Sequence, residues 1–565
     1  MNRIQLDDKK VLFDLERVRM GFLYINSKTL PVCHYGPYRH FTPFKIEFVR
    51  EGEKWKSRKF ITCRYIVADR AFGDGEAEFK DDSYQGSRTG EFLCDDERLN
   101  RIFEIAANTI QACAFPHRYG NHFRDWLSQE QLDFVENWRG EDSNDRVLVD
   151  GPRRDREVWV GDLVPEVLTW MYIFGDKTVI RNSINVILAR MTEDGYIPAC
   201  SISWQTYYEY SAWFLCVFYN YILLSGDMAF LNKNYSSLLK IMDYLKKVIG
   251  KDGAFCLEKQ QTWAWTMQRK GRVTSSNCVL VYSYRCMAQM SRWIGEEKQA
   301  QTFDRKAGEL TDLIFRESFD KSRAAFYDIM DDPTRYSLDA NAYAILFDIC
   351  PIQYRERTLQ SMKELFRDKF GAVLLNPKEP EDGRNWLHND QVWPFLVGFE
   401  IEARLIAGDI DGALELMLCC HGTMANHGAD TFWEVMEPAD GSFPVRRNCV
   451  ADKEEMDTFA SACHGWSASV GYLLQRYIGG IRSLSPGFKK IGFDPHPGNL
   501  NHIKTHVPTP NGVVKAEMLR LNKNVYSVEI DIPENSQLVY TGTGKFYLND
   551  KSIINATSGK YVLEL

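Results

Sequence analysis

Between Asp150 and Asp162, thirteen residues (DGPRRDREVWVGD) bring together four acids (Asp150, Asp155, Glu157, Asp162), three arginines (Arg153, Arg154, Arg156) and Trp159. Gly151 and Pro152 oppose helix, so the stretch reads as turn, then loop, then a helix entry near Asp162. Such charge density fits a solvated surface loop. It equally fits an active-site loop, where arginines set the ionisation of carboxylates and an aromatic supplies an apolar wall. A second cluster, Gly428 to Glu434 (GADTFWE), sets Glu434 beside Trp433 after the turn-rich Asn426-His427-Gly428. Glu434 is either an acid stabilised at a helix start or a general base held by polar neighbours. A third, Cys463-His464-Gly465-Trp466-Ser467, falls inside an apolar segment read as the last helix. A glycine there weakens the helix, so it points to a close approach by ligand or backbone; His464 is then a ligand contact or a satisfied core histidine. The fourth, Ser203 to Glu209 with Trp204 and Tyr207, fits an aromatic wall with hydrogen-bonding neighbours.

Two carboxylates on separate loops suit glycoside hydrolysis. One group must hold a proton for the leaving oxygen and the other must stay ionised to activate water, about 6.5–9.5 Å apart for inversion. The arginines beside Asp155 favour a carboxylate, whereas desolvation and the neighbouring acids favour a carboxylic acid. Trp beside Asp, Glu, His and Asn is also what a sugar site needs, because sugars join apolar ring faces to hydroxyl edges.

Around these clusters the chain has 565 residues, 44% of them hydrophobic and 13% aromatic, with 14 Trp. That is ample for a large core. A net charge of −8 comes from 69 basic and 77 acidic residues without long single-sign runs, so neither nucleic acid nor a membrane is expected as a partner. The longest apolar run, 212–224, is too short to span a bilayer and reads as a core helix. Fourteen scattered cysteines without a CxxC pair indicate reduced thiols, with neither a disulfide framework nor a metal site. The first ten residues carry no apolar stretch of the signal-peptide kind, so a cytoplasmic location is expected.

The first ninety or so residues are strand-rich, with strands expected near 11–15, 20–25, 44–49 and 60–67 and a hairpin turn at Arg50–Glu53. From Cys94 the apolar period becomes helical, and twelve helices are expected: 96–114, 162–175, 177–190, 207–225, 228–248, 276–296, 298–316, 339–348, 353–368, 390–407, 410–421 and 459–478. Gly175-Asp176, Gly226-Asp227 and Gly408-Asp409 each pair a helix-ending glycine with a capping aspartate. Twelve helices in six hairpins suggest an (α/α)6 toroid, although an open helical array has the same count. In a closed toroid the long loops 115–161, 191–206, 251–275, 369–389 and 422–458 share one face. After Pro486-Gly487 the period returns to two, as in a compact β-sandwich. The expected organisation is therefore multidomain: an N-terminal β-domain (1–93), a central (α/α)6 barrel (94–485) and a C-terminal β-sandwich (486–565).

DGPRRDREVWVGD, GADTFWE and HGWSASVGYLLQRYIGGIRSLSPGFKKIGFDPHPGNL resemble the signature segments of family 78 glycoside hydrolases, the α-L-rhamnosidases. The resemblance keeps the family's order and extends from GEFLCDDERLNRIFEIA through ISWQTYYEYSAWFLCVFYNYILLSGD and SLDANAYAILF. It implies an (α/α)6 catalytic barrel flanked by β-domains and inverting removal of terminal α-L-rhamnose without cofactor or metal. Residue by residue, it implies Glu434 as general base and Asp150 and Asp162 as acids that contact the sugar. Arg154, Trp159, Trp204, Tyr207, Trp433 and His464 would complete the pocket. The wall would hold the 6-deoxy methyl group, while carboxylates and arginine take the hydroxyls. One position departs from the family: its general acid is Glu, and the matching residue here is Asp155, one methylene shorter, with Glu157 as the rival. The segment 116–149, with His117, His122, Trp126 and Trp138, reads as an insertion that is either a pocket rim or a surface elaboration. The expected partner is a rhamnose-containing carbohydrate, and a homo-oligomer is compatible with the sequence. Two alternatives stand beside the hydrolase: a carbohydrate-binding pseudoenzyme, or an (α/α)6 glycosidase of another sugar specificity.

Overall fold

The structure is a computed structural model that describes residues 2–6, 10–36, 44–70, 72–73, 75–121, 127–140, 144–202, 207–258, 269–376, 391–444, 460–548 and 551–565. Its centre is helical. The helices are α1 (Glu97–Cys113), α2 (Gln129–Asn137), α3 (Val160–Ile173), α4 (Lys177–Leu188), α5 (Tyr208–Ser225), α6 (Met228–Leu245) and α7 (Thr274–Trp293). There follow α8 (Glu297–Ser318), α9 (Leu338–Leu346), α10 (Ile352–Phe366), α11 (Pro394–Ile406), α12 (Ile410–Asn426) and the short α13 (Val470–Leu473).

Local sequence explains most of the hairpins. Asp176, Asp227 and Asp409 cap α4, α6 and α12 by accepting the backbone N–H groups of Thr178, Phe230 and Gly412. Each cap is worth about 1 kcal/mol. Gly175, Gly226 and Gly408 end the preceding helices at φ 67°, 68° and 84°, where a Cβ is strained. Burial then sorts the helices. Every residue of α3 is buried, whereas α8 and α10 bury one stripe each. α3 packs on α5, α5 on α7, α7 on α9 and α9 on α11, and the segment 465–473 packs on both α11 and α3. α4, α6, α8, α10 and α12 lie against the helix before them, and α1 lies against α13.

Among the helices, two features differ from the sequence expectation. α2 sits inside the 116–149 insertion, started by a capping box at Ser128 and Gln131. The expected helix over 459–478 is instead a 3₁₀ turn (Gly465–Ser469), α13, and a π-helical turn (Leu474–Ile478), so His464 stands in extended backbone ahead of any helix. The apolar pattern there was continuous; close packing against α1 and α3 overrides it.

The N-terminal strands form an eight-stranded antiparallel sheet centred on Val11–Ile25, which pairs with Ile61–Ala68, Ala77–Asp81, Lys54–Ser57 and Asn2–Gln5. Strands expected as separate at 11–15 and 20–25 are one strand interrupted by a bulge between Asp14 and Arg19. The last strand of the expected N-terminal domain, Glu91–Cys94, pairs with His502–Thr509 and so joins the seven-stranded C-terminal sheet. A second C-terminal sheet begins at Ile481–Ser483 and includes the parallel pair Lys490–Phe493 and Gln537–Tyr540. No helix among the described residues is long and apolar enough to cross a membrane.

Candidate active site

Side chains tie together the starts of four successive inner helices. Trp159, the N-cap of α3, meets Tyr210 of α5 edge-on at 6.3 Å. Ser276 at the start of α7 donates to Glu209 of α5 (2.9 Å). Arg269, fully buried before α7, forks onto Asp339 in the first turn of α9 (2.7 and 2.9 Å) and pairs with Asp328 at 2.7 Å. At the α3 end of this row lie the acidic loop and the Glu434 loop.

Glu434 is the hub. It is buried, its Oε1 accepts Arg154 Nη2 at 2.9 Å and its Oε2 accepts the Ser461 N–H at 2.7 Å. Its own N–H donates to the Ser461 carbonyl (2.9 Å), and Trp466 Nε1 donates to its backbone oxygen (3.3 Å). Burial raises the Glu434 carboxyl above its ordinary 4.5, and the Arg154 guanidinium and Ser461 N–H pull it back. His464 bridges to the acidic loop, with Nε2 3.8 Å from Glu434 and Nδ1 3.4 Å from Asp162. Its ring stacks on Trp466 with centroids 4.2 Å apart, and Trp466 stacks in turn on Phe395. Burial and then Arg154 push the imidazole well below 6.5, so His464 is neutral.

The acidic loop is built around Asp150. Its backbone N–H donates to the Glu157 carbonyl (3.0 Å), its Oδ1 accepts the Glu157 N–H (3.0 Å), and its carbonyl accepts the Gly465 N–H (2.7 Å). The loop between turns through two left-handed residues, Asp155 (φ 51°) and Arg156 (φ 59°). Arg156 is drawn inward onto the Pro152 carbonyl (2.7 Å), while the Asp155 side chain keeps 23% of its surface exposed, 3.8 Å from Arg154. Glu157, the rival acid, is buried; Asn121, the Cys200 thiol and the Ile202 N–H all donate to its carboxyl group. Burial raises Glu157 to about 7. Asp162 lies in the first turn of α3, and Glu166 one turn further on. Burial raises Asp150, Asp162 and Glu166, helped at Asp150 by Asp155 and at Asp162 by Glu434. One buried guanidinium and a neutral imidazole thus face several carboxyl groups that cannot all ionise together, which leaves protons available in the cluster.

The remaining expected residues are placed as follows. Tyr207 is the buried N-cap of α5 and packs on Tyr210. Trp433 is almost wholly buried between Phe443 and His427. Trp204, His122 and Trp126 lie outside the described residues. Sequence reasoning missed Ser461, which acts through its backbone N–H and has no side-chain signature. It also passed over Glu166, although an acid four residues after Asp162 in an apolar helix was a readable signal. Among the described residues no group of three His, Cys, Asp or Glu is arranged to hold a metal ion.

Comparison with known proteins gives the class first. Residues 138–372 match the bacterial α-L-rhamnosidase six-hairpin glycosidase domain, and residues 480–541 match the bacterial α-L-rhamnosidase C-terminal domain. With more than half of its length in these two matches, the chain belongs to the bacterial α-L-rhamnosidase family. Among solved structures it is similar to the GH78 rhamnosidase of Bacillus sp. GL1, with a TM-score of 0.72 and 19% identity over 96% of this chain and 54% of that one. It is also similar to the α-L-rhamnosidase of Aspergillus terreus (TM-score 0.72, 15% identity, 100% of this chain and 62% of that one). The α-L-rhamnosidase of Streptomyces avermitilis complexed with L-rhamnose gives a TM-score of 0.69 and 13% identity over 100% of this chain and 52% of that one. The chain therefore spans between about half and two thirds of the length of these relatives. Curated protein sequences give no match.

Proposed function

We propose that the protein is an inverting α-L-rhamnosidase that removes terminal α-L-rhamnose from oligosaccharides or glycosides. The observation that carries the reading is the buried Arg154–Glu434 pair, joined through His464 to Asp162 on the acidic loop. In this reading the inner helices close as an (α/α)6 barrel, supported by the neighbour order that runs from α3 back to α3, and the two C-terminal sheets form a β-sandwich.

Glu434 takes a proton from water, whose oxygen attacks the anomeric carbon from the face opposite the aglycone. Asp155 gives its proton to the departing glycosidic oxygen as the anomeric C–O bond breaks, so one water is consumed and both products leave neutral. Arg154 serves Glu434 by favouring the carboxylate that water activation needs. Asp150, Asp162 and neutral His464 accept or donate to sugar hydroxyls, and Trp159 and Tyr207 provide the apolar wall, with Trp433 supporting it from within.

Hydrolysis of an aryl α-L-rhamnoside, followed by proton NMR of the first-formed sugar, tests the proposal. The β-anomer is expected first. The α-anomer would sink the inverting mechanism, and no rhamnose release from any substrate would sink the function. Asp155→Asn and Glu434→Gln are each expected to lower kcat by about 10²–10⁴. A second reading, a rhamnose-binding protein without turnover, draws on the shorter acid at Asp155 and its neighbour Arg154 at 3.8 Å; tight binding with no product would favour it.

A further inference from the structure

Among its described residues, the loop that bears Glu434 has no helix or strand of its own between α12 and the 3₁₀ turn at Gly465. Within the described residues it is held by a short ladder. Thr431 Oγ1 donates to the Ala462 carbonyl (2.9 Å), the His464 N–H to the Phe432 carbonyl (2.9 Å), and the Phe432 N–H to Thr109 Oγ1 of α1 (2.8 Å). At the outer end of this ladder Asp430 accepts a hydrogen bond from Arg64, a residue of the N-terminal sheet 366 positions away.

Arg64 is itself fixed. Its Nε and Nη2 fork onto Asp14 at 2.9 and 3.1 Å, which leaves Nη1 aimed at Asp430. The bulge creates this arrangement. Asp14 pairs with Tyr65 and Arg19 with Cys63, so Leu15 to Val18 bow out opposite Arg64 alone, with Glu16 left-handed at φ 69°. Bulges re-aim side chains in this way and recur beside functional sites. The bowed residues reach the same region: Val18 packs on Ala112, Cys113 and Cys463, the last adjacent to His464, and Arg17 Nη1 donates to Gln111 of α1 (3.1 Å). A solvated ion pair would be worth little. Here the planar fork is locked on one partner and the other partner lies four residues from Glu434 on the same loop.

We propose that the bulged strand pair of the N-terminal sheet is a positioning device for the base loop, with Arg64 as the residue that holds Asp430 and thereby sets the placement of Glu434. The inference rests on Glu434 as the base of the proposed reaction. The test compares the full chain with Arg64→Ala, Asp430→Ala, the double variant and Arg64→Lys. Each is measured for kcat and KM on an aryl α-L-rhamnoside and for amide hydrogen exchange across the chain. Either alanine variant is expected to lower kcat about ten-fold with KM held within a factor of about two, since small misplacements cost rate. The double variant should be no worse than the singles, because they break one interaction. Exchange should quicken at Phe432, Glu434 and His464 but not at the remote strand 512–522. Arg64→Lys, a single point charge that cannot serve both carboxylates in a fixed fork, should recover only part of the rate. Unchanged kcat and exchange in both alanine variants would overturn the inference. So would losses that multiply in the double variant, or exchange that quickens evenly over the whole chain. A wild-type chain inactive on every rhamnoside counts against the hydrolase reading alone, and the exchange pattern then decides the positioning role by itself.

Discussion

Replacing Arg154 by Met keeps the aliphatic stem and removes the charge that faces Glu434. In the native site the guanidinium lies 2.9 Å from Glu434 Oε1, with 10% and 4% of the two side chains exposed, so water screens the pair little. A hydrogen bond to a charged group is worth about 1.5–3 kcal/mol. Its loss raises the Glu434 carboxyl further above its ordinary 4.5, because that bond favours the ionised form, at about 1.4 kcal/mol for each tenfold in the ionisation equilibrium. The sign follows from the proposed role of Glu434 as base. A general base works only when ionised, burial already holds Glu434 above its ordinary 4.5, and Arg154 opposes that rise. Without Arg154 the acid limb of kcat/KM, which reports the free protein, moves to higher pH. Stability should change in the same sense. Above the new limb Arg154→Met buries an unpaired carboxylate, a loss of about 3–5 kcal/mol that shrinks as the pH falls and the group protonates. The assay is kcat/KM from pH 4 to 9 with an aryl α-L-rhamnoside, alongside thermal unfolding at both extremes. An acid limb that stays in place or moves to lower pH would refute the reasoning, because Arg154 would then not set the charge of the base.

Two further outcomes follow from the buried acids. Glu157, raised by burial from 4.5 to about 7, keeps a proton in the folded state that the unfolded chain has lost between those values. Stability from this group is thus complete below about 4.5 and declines by roughly 3 kcal/mol as the pH rises through 7; Glu157→Gln should gain in melting temperature over wild type at pH 8 but not at pH 4.5, and an equal offset at both would count against it. A Cβ on Gly465 would stand 1.7 Å from Oε1 of Glu166, whose buried oxygens have no hydrogen-bond partner among the described residues. Gly465→Ala should cost about 1–3 kcal/mol in urea unfolding, and the double variant with Glu166→Ala should be more stable than Gly465→Ala alone.

What could be read from the sequence was what is decided locally. The Gly-Asp pairs marked three hairpins because a left-handed glycine and a capping carboxylate act within one turn of chain. The expected boundary at residue 93 puts 91–93 with the N-terminal domain and no strand is expected there; Glu91–Cys94 is a strand whose partner is His502–Thr509, and nothing near residue 91 encodes that pairing. Apolar periodicity predicts one helix over 459–478 because it does not register how tightly α1 and α3 press on Gly465 and Gly471. At the site, Asp162, Glu434 and His464 stood out by type. The bond that joins Arg154 to Glu434 spans 280 positions, and the Ser461 N–H that completes the carboxylate's shell belongs to the backbone, which every residue but proline carries.

The same distinction bears on the shorter acid. Residue 155 sits at φ 51° and residue 156 at φ 59°. Left-handed backbone costs most residues about 1–2 kcal/mol, and aspartate and asparagine tolerate it best because a short polar side chain bonds locally. This double turn leaves the Asp155 carboxyl partly exposed beside Arg154 while Arg156 folds back on Pro152 and Glu157 is enclosed by Asn121 and Cys200. An Asp at 155 therefore suits the backbone as well as the chemistry. Glutamate would extend the carboxyl group by one methylene but would meet a backbone that favours the shorter residue. In this loop, the backbone that leaves the carboxyl group of residue 155 partly exposed also favours the shorter of the two acids there.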